Sequence, residues 1–144
     1  MARPRHGASL MARVAVDTDV YSFILKGSLE ARRFSESLRG CQIVLSFQTV
    51  AELFKWTVIR GWQQPRIDQL ESSFRQCIIV PYDRDLAWTW ARITGECHNH
   101  GRQMSAGDAW VAAAAIRHDI PLMTNNLRHY QAAKEYCSLR IAEV

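Results

Sequence analysis

The sequence predicts an α/β fold: a single domain with a central parallel sheet of four to five strands, flanked by helices. Three observations carry this expectation. Short apolar runs alternate along the chain with longer stretches of helical periodicity. Each apolar run breaks off in polar or turn-forming residues. No internal repeat, low-complexity tract or linker interrupts the 144 residues, a length that ordinarily makes one domain.

Taken in order, residues 1–12 read as a flexible basic arm containing Arg3, Pro4, Arg5 and Gly7, and the folded domain is expected over 13–144. Val14-Ala15-Val16 supplies the first strand, followed by helices near 19–25 and 29–39. Ile43-Val44-Leu45 supplies the second, followed by helices near 47–60 and 66–75. On the 47–60 helix the apolar face runs through Phe47, Val50, Phe54, Thr57 and Val58, and Glu52 points away from it. Ile78-Ile79-Val80 is the third strand, with helices near 84–98 and 106–118 behind it. Pro121-Leu122-Met123 is the fourth strand, running into Thr124-Asn125-Asn126, which reads as an ordinary turn. Residues 139–144 close the chain as a terminal edge strand.

Composition narrows the function classes. A hydrophobic content of 48% with 22% charged residues is that of a globular protein and excludes a disordered tail. No apolar run approaches the roughly 18 residues that cross a bilayer, and no apolar leader precedes Arg13, so the expected setting is the cytoplasm. The net charge of +4 is concentrated at the start: Arg3, Arg5 and Arg13 supply three of the four, and the remainder is nearly balanced. Electrostatic function therefore has to come from local placement, not from a global basic field. Cys41, Cys77, Cys97 and Cys137 contain no C-x-x-C pair and read as buried free thiols. Cys97-His98-Asn99-His100 is a poor zinc site, because consecutive helical residues diverge and a fourth ligand is missing.

In a parallel α/β sheet the ligand crevice lies at the carboxyl ends of the strands. Four segments bring polar groups there. Asp17 ends the first strand, with Asp19 close behind; it serves equally well as a helix cap or as a functional carboxylate. Glu52 sits on the helix that starts just after the second strand, where its first turns overlook the crevice. Asp108 lies three residues after Ser105 at the start of an alanine-rich helix, the spacing of a capping box, and can also face a bound ion. Thr124 and Asn126 arrive at the same edge from the fourth strand.

The order and context of these segments resemble one family. Val16-Asp17-Thr18, Ser46 followed by Thr49-Val50-Ala51-Glu52-Leu53, Asp108-x-x-Val111-Ala112-Ala113 and Thr124-Asn125-Asn126 are similar to the motifs of PIN-domain ribonucleases, most of all the VapC-type toxins of prokaryotic toxin-antitoxin systems. The resemblance implies an endoribonuclease that depends on Mg²⁺ or Mn²⁺. Asp17, Glu52 and Asp108 match its metal-binding acids, Asn126 a fourth site position, and Thr124 a hydroxyl that supports the site. His129 departs from the family, standing where an acid is common. The chemistry suits these residue types, because a hard divalent ion held by oxygen ligands activates water and stabilises charge on a phosphate under attack. In-line attack by water would leave a 5′-phosphate and a 3′-hydroxyl. Implied partners are an RNA substrate, a cognate antitoxin and a second copy of the chain.

An acidic centre repels RNA, so cations must hold the flanking phosphates. Arg102, in the loop before Asp108, and Arg128, beside Asn126, are the candidates. Trp56, Trp62 and Trp88 fall off the apolar faces of their segments and are candidates for a protein interface, with stacking on RNA bases the alternative, whereas Trp90 shares a core face with Leu86, Ile93 and Cys97. Two competing readings stay open. Asp17-Thr18-Asp19 with Ser46 and Lys55 has elements of a haloacid-dehalogenase-like phosphotransferase, and the departure at His129 fits a non-catalytic RNA-binding module.

Overall fold

The computed structural model describes residues 11–144. Of the arm expected over residues 1–12, only Met11 and Ala12 fall within them, leading into the first strand. Four strands, β1 (Arg13–Val16), β2 (Gln42–Ser46), β3 (Ile78–Val80) and β4 (Leu122–Met123), form one parallel sheet in the order β3-β2-β1-β4. Ala15 pairs with Val44 on one side and Leu122 on the other.

Strand side chains alternate between faces, and here both faces are buried. Ala15, Val44 and Leu122 enter one hydrophobic core; Val14, Val16, Leu45 and Met123 enter the other. That is why the strands read as short continuous apolar runs. The second core is covered by α1 (Thr18–Lys26), α2 (Ala31–Ser37) and α4 (Gln64–Phe74), through Val20, Tyr21, Phe34, Leu70 and Phe74. The first is covered by α5 (Arg84–Asn99), α6 (Ala106–Arg117) and α7 (Leu127–Cys137). Helix α6 buries Ala109 and every residue from Val111 to Ala115, and such small side chains let its backbone lie close to its neighbours.

Helix α3 (Phe47–Ile59) bears out part of the expected apolar face, with Thr57 buried and Phe47, Val50 and Phe54 packed against the cores, and shifts its centre. The buried stripe is Thr49, Leu53 and Thr57, whereas Val58 is 79% exposed. The two threonines tolerate burial because their hydroxyls are satisfied: Thr57 donates to the Phe54 carbonyl at 2.7 Å, and Thr49 lies 3.1 Å from the Thr18 hydroxyl. Glu52, three residues after Thr49 and one before Leu53, therefore flanks the buried stripe and does not point away from it.

Two further differences concern the end of the chain. Helix α7 occupies a stretch where the sequence suggested only a turn; Tyr130, Ala132 and Ala133 form its buried face, and no side chain caps its start at Asn126. The expected terminal strand shrinks to a single parallel bridge between Ile141 and Leu122. Its hydrogen bonds run from Leu122 N–H to the Arg140 carbonyl and from Ala142 N–H to the Leu122 carbonyl, and a two-residue β4 has no room for more. All four cysteines are free thiols, but only Cys97 is fully buried. Among the described residues no helix is long and apolar enough to cross a membrane.

Candidate active site

Asp17 stands where β1 becomes α1, tied by its backbone N–H to the Met123 carbonyl of β4 at 3.2 Å. The residue is 4% exposed, and each carboxylate oxygen accepts one hydrogen bond. One oxygen, Oδ1, accepts the Val20 N–H at 3.0 Å, so the residue does cap α1. The other, Oδ2, accepts the Thr124 hydroxyl at 2.5 Å. Capping and site membership thus coexist in one carboxylate. Burial pushes the Asp17 carboxyl up to about 6, with the charges of Asp19 and Asp108 adding to the push and the bonds from Thr124 and Val20 opposing it. A buried carboxyl repelled by two neighbouring acids is a place where a cation would relieve strain.

Glu52 reaches the same region from α3. Its Oε1 accepts the Thr18 hydroxyl at 2.6 Å. Its other oxygen lies near Gly107, where an added Cβ would stand 3.6 Å from Glu52 Oε2 and 3.1 Å from Gln48 Nε2. The missing side chain at Gly107 leaves room for the ends of Gln48 and Glu52 beside the start of α6. Asp108 follows directly. Ser105 caps α6 by accepting the Asp108 N–H at 3.2 Å, as the capping-box spacing suggests. The Asp108 carboxylate is instead turned to α7: Oδ1 accepts the Tyr130 hydroxyl at 3.3 Å, and Oδ2 lies 3.3 Å from His129 Nδ1. His129, the departure from the family pattern, thus contacts a site carboxylate where an acid would repel it.

Tyr130 is the residue the sequence reading passed over. It is fully buried, and burial raises its phenol far above the usual range, with Asp17, Asp108 and Glu52 all raising it further. The phenol is a permanent neutral donor to Asp108, within the field of Asp17 and Glu52. Thr18 and Thr49 appeared in the sequence only as part of the resemblance motifs, without a role of their own. The available signal was positional: Thr18 follows Asp17, and Thr49 sits one helical turn before Glu52. Asn126 donates to Asp19 Oδ2 at 3.2 Å, and its own N–H is held by the Thr124 hydroxyl at 2.9 Å.

The donor set is all oxygen, which suits a hard divalent ion such as Mg²⁺ or Mn²⁺. Among the described residues no three Asp, Glu, His or Cys side chains stand close enough to enclose an ion directly. Mg²⁺ keeps several waters and is commonly held by one or two carboxylates, so the set fits an ion bound partly through water.

The remaining candidates separate. Arg128 is exposed on α7, next to the site residues Asn126 and His129. Arg102 is engaged elsewhere, 2.6 Å from Glu135 and over the Tyr136 ring. Trp88 is 66% exposed on α5 and Trp56 42% exposed on α3, while Trp62 is half-buried. Trp90 stacks on Trp110 with ring centroids 5.0 Å apart, which agrees with its expected core face. Ser46 is buried and spends its hydroxyl on capping α3.

Acids gathered from three helices over the tips of a two-faced parallel sheet define the class, an α/β domain with an acidic centre at its strand ends. Residues 14–135 match the PIN domain family, and the chain belongs to that family. This membership, with Ser46 taken up in a cap, removes the haloacid-dehalogenase-like reading. Among similar proteins, toxin FitB of Neisseria gonorrhoeae is 28% identical over 128 residues, covering 83% of this chain and 92% of that one. Ribonuclease VapC1 of Methanocaldococcus jannaschii is 26% identical over 126 residues, covering 87% and 84% respectively. The fold is similar to VapBC-1 from nontypeable Haemophilus influenzae, with a TM-score of 0.74 at 22% identity over 91% of this chain and 97% of that one. FitAcB from Neisseria gonorrhoeae gives a TM-score of 0.68 at 25% identity, over 90% and 96%.

Proposed function

We propose that this chain is a Mg²⁺- or Mn²⁺-dependent endoribonuclease, acting in the cytoplasm as the toxin of a type II toxin-antitoxin pair. The observation that carries the reading is that the charges of Asp17, Glu52 and Asp108 all act on the buried Tyr130 hydroxyl, which bonds Asp108 directly at 3.3 Å, on a PIN scaffold. The names of the relatives, ribonuclease VapC1 and toxin FitB, support the activity and the biological role. The solved VapBC-1 and FitAcB assemblies support an antitoxin partner.

In this reading Asp17, Glu52 and Asp108 hold the ion, and Asn126 completes the polar rim. A divalent ion bound there supplies Lewis-acid activation of water and neutralises charge on the phosphate. The surrounding residues set the geometry. Thr124 fixes Asp17, Thr18 fixes Glu52, and Tyr130 fixes Asp108, each by donating one hydrogen bond to a carboxylate. Arg128 takes a flanking phosphate. Trp88, exposed on α5, is the tryptophan most open to a protein partner, antitoxin or second copy.

The test is the chemistry of the cut ends. Hydrolysis by water leaves a 5′-phosphate and a 3′-hydroxyl on a single-stranded RNA. A 2′,3′-cyclic phosphate would contradict the reading and point to a metal-free route through a histidine such as His129.

A further inference from the structure

A cavity of about 350 Å³ lies among α1, α3 and α4, beside the carboxylates. Its volume falls in the range of roughly 300 to 1,000 Å³ typical of small-ligand pockets. We infer that it is a nucleobase subsite, seating one unstacked base of the RNA strand beside the phosphate to be cut. This rests on the ribonuclease reading above.

The lining has the chemistry of a nucleotide. Leu53 and Leu70 make a buried apolar floor. Two indoles stand in the wall, each with a guanidinium over its face: Arg60 lies 4.9 Å from the Trp56 ring centre and Arg66 3.8 Å from that of Trp62. Bases stack both on aromatic rings and on guanidinium planes, without regard to sequence. Gln69 and Ser22 add polar groups that can meet a base edge.

Charge points the same way. Arg60, Arg66 and Lys26 line the cavity against a single acid, Asp19. Among the described residues none of these three cations forms an ion pair, whereas Arg102, Arg117 and Arg140 all do. Unpaired cations around an apolar floor fit a flat ring carrying a phosphate. A neutral apolar side chain by itself would fill the floor and leave the cations without a counter-charge.

Position completes the argument. Thr18 and Asp19 belong to both places: they line the cavity, and they bond Glu52 and Asn126 respectively. A base in the cavity is therefore next to the carboxylates. Arg128 belongs to α7, in the opposite helical layer from α1 and α4. An RNA strand crossing the strand tips would run from Arg128, over the acids, to the cavity.

The experiment measures binding of a short single-stranded oligoribonucleotide to the full chain in EDTA, with cleavage in Mg²⁺ measured separately. Trp62→Ala and Trp56→Ala should each weaken affinity on the order of ten-fold, the size of one lost base stack. Arg60→Gln and Arg66→Gln, surface changes that spare the floor, should weaken it and flatten its salt dependence. Tyr82→Ala, at a similarly exposed aromatic, should leave it unchanged. Removing one base from the oligonucleotide beside the cut should weaken binding to wild type but not to Trp62→Ala. Equal binding by all variants, or an equal effect of base removal at every position, would overturn the subsite. So would loss of a protein partner with RNA affinity intact, which would make the cavity a protein-docking groove. Tryptophan-dependent binding without any cleavage would instead overturn the ribonuclease reading and leave the subsite standing.

Discussion

The Thr124 hydroxyl lies 2.5 Å from Asp17 Oδ2, joining the tips of β4 and β1 across 107 positions of sequence. It is the only side-chain donor described for a carboxylate that burial has already pushed up to about 6. Thr124→Val keeps the shape and removes the donor. Its affinity for Mn²⁺, measured by titration calorimetry, should fall ~10- to 100-fold, the usual cost of losing a partner behind a metal ligand. Thr124→Ser should recover most of it. Undiminished affinity in the valine variant would show that Asp17 is held by its backbone alone.

Gly107 gives a steric test of the same site. A Cβ there would meet Gln48 Nε2 at 3.1 Å and touch Glu52 Oε2 at 3.6 Å, so Gly107→Ala should shift the Gln48 amide by a few tenths of an ångström and crowd the Glu52 carboxylate only lightly. Cleavage should drop by about two- to five-fold while the melting temperature changes by only a few degrees, on the order of 1 kcal/mol. Truncating the obstruction in Gly107→Ala/Gln48→Ala should restore part of the rate. Failure of the double variant to recover would move the cause from crowding to the α6 backbone.

Tyr130→Phe removes the neutral donor to Asp108 and leaves the buried ring. Stability should change by about 1 kcal/mol, the ordinary net value of one hydrogen bond. Divalent-ion affinity should fall more than stability does, because the lost hydrogen bond orients Asp108, one of the carboxylates proposed to hold the ion. Parallel melting and calorimetry separate the two effects, and an unchanged affinity would assign Tyr130 to packing alone.

Asp17 also sets a pH dependence. Its folded pKa, about 6, lies above the unfolded 3.8, so the folded state keeps the extra proton between those values. The Asp17 contribution to the stability of the metal-free protein is therefore greatest below pH 3.8 and declines as pH rises through about 6. At one pKa unit per 1.4 kcal/mol, the decline is at most ~3 kcal/mol. Asp17→Asn should lack it, so the wild-type melting curve should fall relative to the variant between pH 4 and 7. Added Mg²⁺ should cancel the difference, and parallel pH profiles without the ion would contradict the assignment.

The sheet was legible because both of its faces are buried, which turns β1, β2 and β3 into uninterrupted apolar runs. Six helices were readable from periodicity and caps to within a few residues. Helix α7 was hidden because Thr124-Asn125-Asn126 carries strong turn chemistry, and the helix itself begins without a side-chain cap. The stripe of α3 was only partly placed because its buried positions include Thr49, a polar residue whose hydroxyl meets that of Thr18 in α1. Asp17, Glu52, Asp108 and Thr124 could be picked out by strand-tip position and family resemblance. Tyr130 could not, since its hydroxyl matters only through contacts made across layers. Arg102 and Arg128 looked alike in sequence, and only the Glu135 partner of Arg102 distinguishes them.

The central claim is that Asp17, Glu52 and Asp108 hold a cation that drives RNA hydrolysis. The most direct measurement compares cleavage of one single-stranded RNA by wild type and Asp17→Asn, each in EDTA and in Mg²⁺ or Mn²⁺. The account predicts cleavage only by wild type with the ion present. Cleavage that survives either EDTA or Asp17→Asn would contradict it.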